Sequence, residues 1–228
     1  PAEGGAVVIE DKTRLRVYNS RFILNKGMIG GAMSIFRARA EIYSSAFLGN
    51  QATDTLPTSG FGGAINFNFH DRPGDASLVI QDTLIQGRYQ SVTTVAQFGG
   101  GLQIGGHVLG TRPPVHLKRV VFYECDVIGR DWKAGTGGAI GVSGANFLME
   151  DSMVLNSDAF EHIAPGSGQP SGSIAGGMVV YQDTLANIRR SVFARNSAVT
   201  FGGAVFIQGA HVDISDSWFL ENEISPGV

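Results

Sequence analysis

The chain has 228 residues, 43% of them apolar, which is enough to bury a sizeable core and excludes a disordered tail. Glycine, at 32 residues, stands at roughly twice its usual share of about 7%, without the Gly-X-Y period of collagen or the proline content of a linker. The formal charge of −3, with Lys and Arg scattered singly, supplies no basic stripe for nucleic acid; no apolar run approaches the ~20 residues of a membrane helix, and the lone Cys125 cannot close an internal disulfide.

In chain order the dominant signal is repetition. A Gly-Gly doublet followed by Ala or a substitute and then an apolar residue recurs at Gly4, Gly30, Gly62, Gly99, Gly137, Gly176 and Gly202. Each doublet opens a run whose apolar residues alternate with period two, as in Val7/Ile9, Met33/Ile35, Ile65/Phe67, Leu102/Ile104, Ile140/Val142, Val179/Tyr181 and Val205/Ile207. That period predicts strands. A second alternating run follows, for example Leu15/Val17 or Val212/Ile214, and then a small hydroxyl residue and a Phe-x-x-Asn signature. The signature reads Phe22/Asn25, Phe47/Asn50, Phe122/Cys125, Met153/Asn156, Phe193/Asn196 and Phe219/Asn222, with Ile85 and Arg88 in the degenerate third copy.

Nothing of helical length and period lies between these runs. Strand-only copies at a spacing as short as 26 residues leave room for one coil of short strands, not for the ~40 residues of a propeller blade. The prediction is therefore all-β: a right-handed, single-stranded parallel β-helix (solenoid) of about seven rungs, one domain over residues 1–228. Because equivalent residues stack from rung to rung, the repeated letters become columns. The second glycines predict a corner with positive φ or close packing. Phe22, Phe47, Phe122, Phe193 and Phe219 predict an inward stack, with Ile85 and Met153 filling its other levels. Asn25, Asn50, Asn156, Asn196 and Asn222 predict a turn column in which Asn adopts the left-handed conformation and bonds along the axis. Cys125 takes an Asn position and reads as a shielded thiol.

The pairing of Gly-Gly-Ala-[Ile/Val/Met/Leu] with Phe-x-x-Asn, from Gly4 to Asn222, resembles the repeat of the polymorphic outer-membrane protein family, found in autotransporter passengers and other extracellular repeat proteins. The resemblance implies a right-handed β-helix at a cell surface or outside the cell, with adhesion or scaffolding as its role. The chain departs from that family in lacking the autotransporters' membrane barrel, and its third and fourth copies are degraded. Neither end shows a clear polar cap, so the chain reads as a piece of a longer polypeptide.

Candidate chemistry is sparse. Three residues before each Phe position stand Asn19, Ser44, Asp82, Arg119, Glu150, Arg190 and Asp216, in which acid and base alternate from the third rung on. This predicts a surface ladder that favours correct register. A glycoside hydrolase needs two carboxyls about 5–9.5 Å apart on one face, and a lyase needs an acidic cluster with a base. The outward column of the first strand instead reads Val8, Ser34, Asn66, Gln103, Gly141, Val180 and Phe206, and the next reads Glu10, Phe36, Asn68, Gly105, Ser143, Gln182 and Gln208. Only Glu10 is acidic. His70 and His107, each seven residues after the second Gly of its doublet, stack on adjacent rungs by spacing, with Asp71 and Asp75 nearby, but this loose arrangement does not amount to a metal site.

The inserted stretches are more informative than the repeat. Long segments between the Asn position and the next doublet occur only in the middle copies, leave from one corner, and mark that side as a binding face. Trp132, Phe160 and His162, with the Gly/Ser/Pro-rich arm 165–173, are the candidate contacts there, and Asn66, Asn68 and Gln103 those on the sheet face. The sequence thus predicts a non-catalytic extracellular structural or adhesive module, without cofactor or metal, that contacts a protein, a glycan or a neighbouring copy. Two alternatives stand beside it: a carbohydrate-active β-helix enzyme and a subunit of an extracellular filament.

Overall fold

The computed structural model describes residues 4–53, 60–69, 75–88, 98–106, 112–130, 136–162 and 174–225. These residues form a parallel β-helix of about seven rungs. The first sheet stacks Val7–Glu10, Met33–Phe36, Ile65–Asn68, Leu102–Gly105, Ile140–Val142, Met178–Val180 and Val205–Ile207, all parallel and in register. The second stacks Arg14–Tyr18, Arg39–Tyr43, Ser77–Gln86, Pro114–Tyr123, Asn146–Glu150, Leu185–Arg189 and His211–Ser215, and continues past a bend into the short strands that carry the Phe column. Third-sheet strands Val127–Arg130, Asp158–His162, Ser197–Ala198 and Glu223–Ile224 close the coil, with Lys26–Gly27 paired to Gln51–Ala52 at the other end.

The core follows from the period-two pattern. Ile35, Ile65, Phe67, Leu102 and Ile104 of the first sheet face Ile42, Leu78, Ile80 and Leu117 of the second, all fully buried. Phe47, Ile85, Phe122, Val154 and Phe193 fill one column between them, and the end pairs Phe22–Phe47 and Phe193–Phe219 stack at 4.6 and 5.1 Å with nearly parallel rings.

At the doublet corner the two glycines do different jobs. The first takes positive φ, 65° at Gly30, where the chain turns into the first strand. The second packs backbone on backbone: a Cβ on Gly31 would lie 2.1 Å from the Gly63 carbonyl oxygen. Both demands favour glycine. In the sixth rung the pair is Ala175–Gly176, not Gly176–Gly177, because Ala175 carries φ 56° and its amide continues the column's hydrogen bonding to Phe201. The alternation shifts with it, so Met178 and Val180 point inward and Val179 and Tyr181 join the outward columns, in place of Val180 and Gln182.

A second one-residue correction falls in the fifth rung. Val154, not Met153, pairs with Phe122 and Phe193, while Met153 is exposed. Ser157 rather than Asn156 therefore occupies the Asn column: its hydroxyl accepts from the Cys125 amide, and its own amide donates to Asn196 Oδ1. The Asn column itself is not left-handed. Positive φ belongs to the preceding residue, Leu24, Gly49, Glu124, Asn156, Arg195 or Glu221. This turn aims the next side chain inward, where Asn50 and Asn196 are buried. Asn50, Asn196 and Asn222 each accept from the amide of the rung before, and each Nδ2 donates to a carbonyl there, Asn50 to Phe22, Asn196 to Val154 and Asn222 to Phe193. Cys125 makes the equivalent donation, from Sγ to the Ile85 carbonyl at 3.3 Å.

A hydroxyl ladder runs beside it. Ser45, Thr83, Ser152, Ser191 and Ser217 each accept from the amide of the preceding rung, and each donates to the carbonyl two residues back in its own rung. Both ladders satisfy backbone groups that the bends would otherwise leave without partners in the interior.

Candidate functional site

On the outward face of the first sheet, Asn66 and Gln103 stand opposite each other on the third and fourth rungs, and Asn68 faces Gly105 one step along. A cleft of about 240 Å³ opens over them, lined by Ile29, Phe61, Asn66, Asn68, Gln103, Gly105 and Gly106. Its apolar wall, Ile29 and Phe61, belongs to the column of residues just before each doublet, which runs as isolated bridges through Ile29, Phe61, Phe98, Thr136, Ile174 and Phe201. Phe61 and Phe98 stack there at 5.1 Å. Missing side chains keep the cleft shaped: the Gln103 amide lies across Gly141, where a Cβ would come within 2.1 Å of Oε1. Gln103 Nε2 donates to the Ile104 carbonyl at 3.3 Å, whereas Oε1 is buried with no hydrogen-bond partner among the described residues. Among the described residues no carboxylate lines this cleft.

Its position also matters. The two sequence insertions of these rungs, between Asn50 and Gly62 and between Arg88 and Gly99, rejoin the described chain at Gly60 and Phe98, next to the cleft. Asn66, Asn68 and Gln103, named from sequence as sheet-face candidates, are thus brought together. Phe61 and Phe98 were missed, although an apolar residue directly before the doublet recurs in the sequence as Ile29, Phe61, Phe98 and Phe201.

The charged ladder is double. Arg119 grips Asp82 with two hydrogen bonds of 2.5 and 2.9 Å, and Arg190 grips Asp151 at 2.6 and 3.1 Å. Asp151, with positive φ like Asp82, Arg119, Arg190 and Asp216, holds the column position assigned from sequence to Glu150. Glu150 lies one residue earlier, in the column of Lys118 and Arg189, where His116, Lys118, Arg189 and Arg190 converge on its nearly buried carboxylate. Hydrogen bonds from Arg189 hold the Glu150 carboxyl well below its ordinary range, at about 2, and those from Arg119 do the same for Asp82. A carboxylate held this way is a poor proton donor or base near neutral pH.

One cluster escaped the sequence reading. Arg88, standing in the Asn column of the third rung, reaches along the axis to Asp126 (Nε–Oδ2 2.6 Å) and Asp158 (Nη2–Oδ2 2.8 Å) and lies 5.8 Å from the Phe160 ring centre. Asp126 also accepts from the Asp158 amide, and Ser197 donates to Asp158. The Asp126 side chain is wholly enclosed, and burial pushes it up to about 7 in spite of the guanidinium. These three residues are 38 and 32 positions apart across insertions of unequal length, which hides their shared corner in the sequence. Burial also holds the Cys125 thiol well above its usual range, so it is no nucleophile.

Phe160 is exposed on the third sheet beside Arg88. Trp132, the His162 side chain, His70, His107 and the arm 165–173 lie outside the described residues. Among the described residues no group of three or more His, Cys, Asp or Glu side chains is placed to hold a metal ion.

No known protein family matches the chain, and none of the curated proteins compared with it does. Among solved structures the chain is similar to a trypsin-treated form of QnrB1, a plasmid-mediated fluoroquinolone resistance protein, at 13% identity over 88% of this chain and 91% of that one, with a TM-score of 0.19. A second trypsin-treated form of QnrB1 covers the same shares at 10% identity and a TM-score of 0.12. Similarity at that level carries no argument about function, so the class rests on the geometry: a parallel β-solenoid.

Proposed function

We propose that this chain is a non-catalytic adhesive module of the polymorphic outer-membrane protein type, acting outside the cell, and that it holds a neutral glycan in the cleft of its third and fourth rungs. The observation that carries the reading is the cleft's chemistry. Carboxamides at Asn66, Asn68 and Gln103 face the aromatic wall of Phe61, with inserted stretches joining beside it and no acid among the described lining residues. Amides offer a donor and an acceptor together, as sugar hydroxyls require, and an apolar wall accepts the C–H face of a pyranose ring. An enzyme of the hydrolase or lyase type would need a free acid or base beside the bound sugar, and the ladder acids Asp82, Glu150 and Asp151 are engaged with arginine.

The test is a screen of neutral and acidic oligosaccharides for binding, with release of reducing ends and of unsaturated products followed in parallel. Binding of a neutral sugar without turnover, weakened at least tenfold by Phe61→Ala, supports the proposal. Turnover, or a preference for acidic sugars that Phe61→Ala leaves unchanged, overturns it.

A further inference from the structure

The cleft over the third and fourth rungs sits on a longer feature. Along the first sheet Ser34, Asn66, Gly141 and Val179 stand in one outward column, in register from rung to rung, and yet all four are buried. The columns on either side are less covered. Phe61, Phe98 and Ile174 before the doublets, and Asn68, Ser143 and Tyr181 further along the strands, are all partly exposed. A buried floor between two half-exposed walls is a groove along the axis. It runs from the second rung to the sixth, about 19 Å at ~4.8 Å per rung, and each of these five rungs is stacked on both sides within the chain.

Gln103 interrupts that floor. Its carboxamide reaches from the fourth rung onto Gly141 of the fifth, where a Cβ would meet Oε1 at 2.1 Å and Cδ at 3.1 Å. The resting position leaves Oε1 without a hydrogen-bond partner among the described residues, so little holds the amide there. All three atoms nearest to a Cβ at 141 belong to the Gln103 side chain, so the backbone leaves room over Gly141 once that side chain moves.

We propose that the groove takes an extended chain of neutral sugar units lying along the solenoid axis, and that Gln103 is the partition that swings off Gly141 to admit the unit over the fifth rung. The inference deepens the glycan reading of the cleft and rests on it. The lining is of one kind along its length. Phe61 and Phe98, stacked at 5.1 Å, begin an apolar wall for the C–H faces of successive rings, and Asn68, Ser143 and Tyr181 give the opposite wall amide and hydroxyl groups for the ring edges. Among the described residues no Lys, Arg, Asp or Glu stands in these three columns from the second to the sixth rung. Such a lining suits a neutral polymer and gives a charged one nothing to offset its desolvation. Swung outward, Gln103 Oε1 accepts from a sugar hydroxyl and gains the bond that it lacks at rest.

The test is a calorimetric titration of cello-, xylo- and mannooligosaccharides, each from one to four units long, into the parent, Gly141→Ala and Gly141→Phe. Phenylalanine already occupies this column at Phe206, so both variants are expected to keep the parent's β spectrum. In the parent, the three-unit sugar of the series that binds should bind roughly tenfold or more tighter than the one-unit sugar. Gly141→Ala displaces the Gln103 amide but leaves the floor open, and should keep that gain. Gly141→Phe fills the fifth-rung position and should lose it, binding every length as the parent binds one unit. A nuclear Overhauser contact between the Gln103 side-chain amide and Gly141 Hα, present in the free parent, should vanish in the three-unit complex. Binding without a gain in length, a gain that Gly141→Phe leaves intact, or a contact that persists in the complex overturns this inference and leaves the cleft reading standing. No binding at any length overturns both.

Discussion

At the corner that carries the Phe and Asn columns, Asn196 accepts from the Ser157 amide and donates to the Val154 carbonyl and to Asn222. On the first-sheet face Gln103 makes one long bond to its neighbour's carbonyl and buries an oxygen without a partner among the described residues. Both are carboxamides in a repeated position. The first holds one rung to the next. The second contributes little that a smaller residue would not, and that difference separates the shape-giving part of the solenoid from the part available to a ligand.

The sharpest way to break the comparison is to empty the core beneath the ladders. Phe122→Ala should cost about 4 kcal/mol, read by denaturant titration, because Phe122 is fully enclosed between Ile85 and Val154. Asn196→Ala leaves the Ser157 amide and the Val154 carbonyl without partners and should cost about 3 kcal/mol. An Asn196→Ala protein as stable as its parent would show that the ladder is incidental.

The Asp126 cluster predicts a pH dependence opposite to that of the surface acids. Its folded pKa is raised, so the folded chain holds a proton that the unfolded chain has released, and that stabilisation fades as pH rises through about 7. Between about pH 5.5 and 8 the loss should be about 2 kcal/mol, and Asp126→Asn should remove it. For Glu150 and Asp82, held at about 2, the contribution is present above the ordinary carboxylate range and is lost as pH falls toward 2. Ala175→Gly should stabilise by about 1 kcal/mol, since an alanine held at φ 56° is strained. Arg119→Ala, on a half-exposed ion pair, should leave stability nearly unchanged, as read by the same denaturant titration.

Where sequence and structure part company, the reason is physical. Glycine spacing and apolar alternation reveal the parallel solenoid because those positions face steric and burial demands that few residues meet. Letter matching slipped by one residue in the fifth rung because Asn156 imitates a column whose requirement, an acceptor for the preceding rung's amide, is met by Ser157. The hydroxyl two positions before the buried residue would have fixed the register, as Ser45 does for Phe47 and Ser152 for Val154. In the sixth rung Ala175 tolerates a conformation that identity to glycine seemed to require. The cleft was half visible: its amides lie in regular strands, while Phe61 and Phe98 follow insertions of unequal length. Arg88, Asp126 and Asp158 were invisible for that same reason.

The central claim, that the repeat builds the scaffold and the unrepeated surface binds, is tested most directly by titrating one neutral oligosaccharide into three proteins at matched folded concentration: the parent, Gln103→Ala and Asn196→Ala. The account predicts that Gln103→Ala melts with its parent yet binds at least tenfold more weakly, while Asn196→Ala melts earlier and, below its transition, binds as the parent does. Unchanged affinity in Gln103→Ala, or equal loss in both variants, would contradict it.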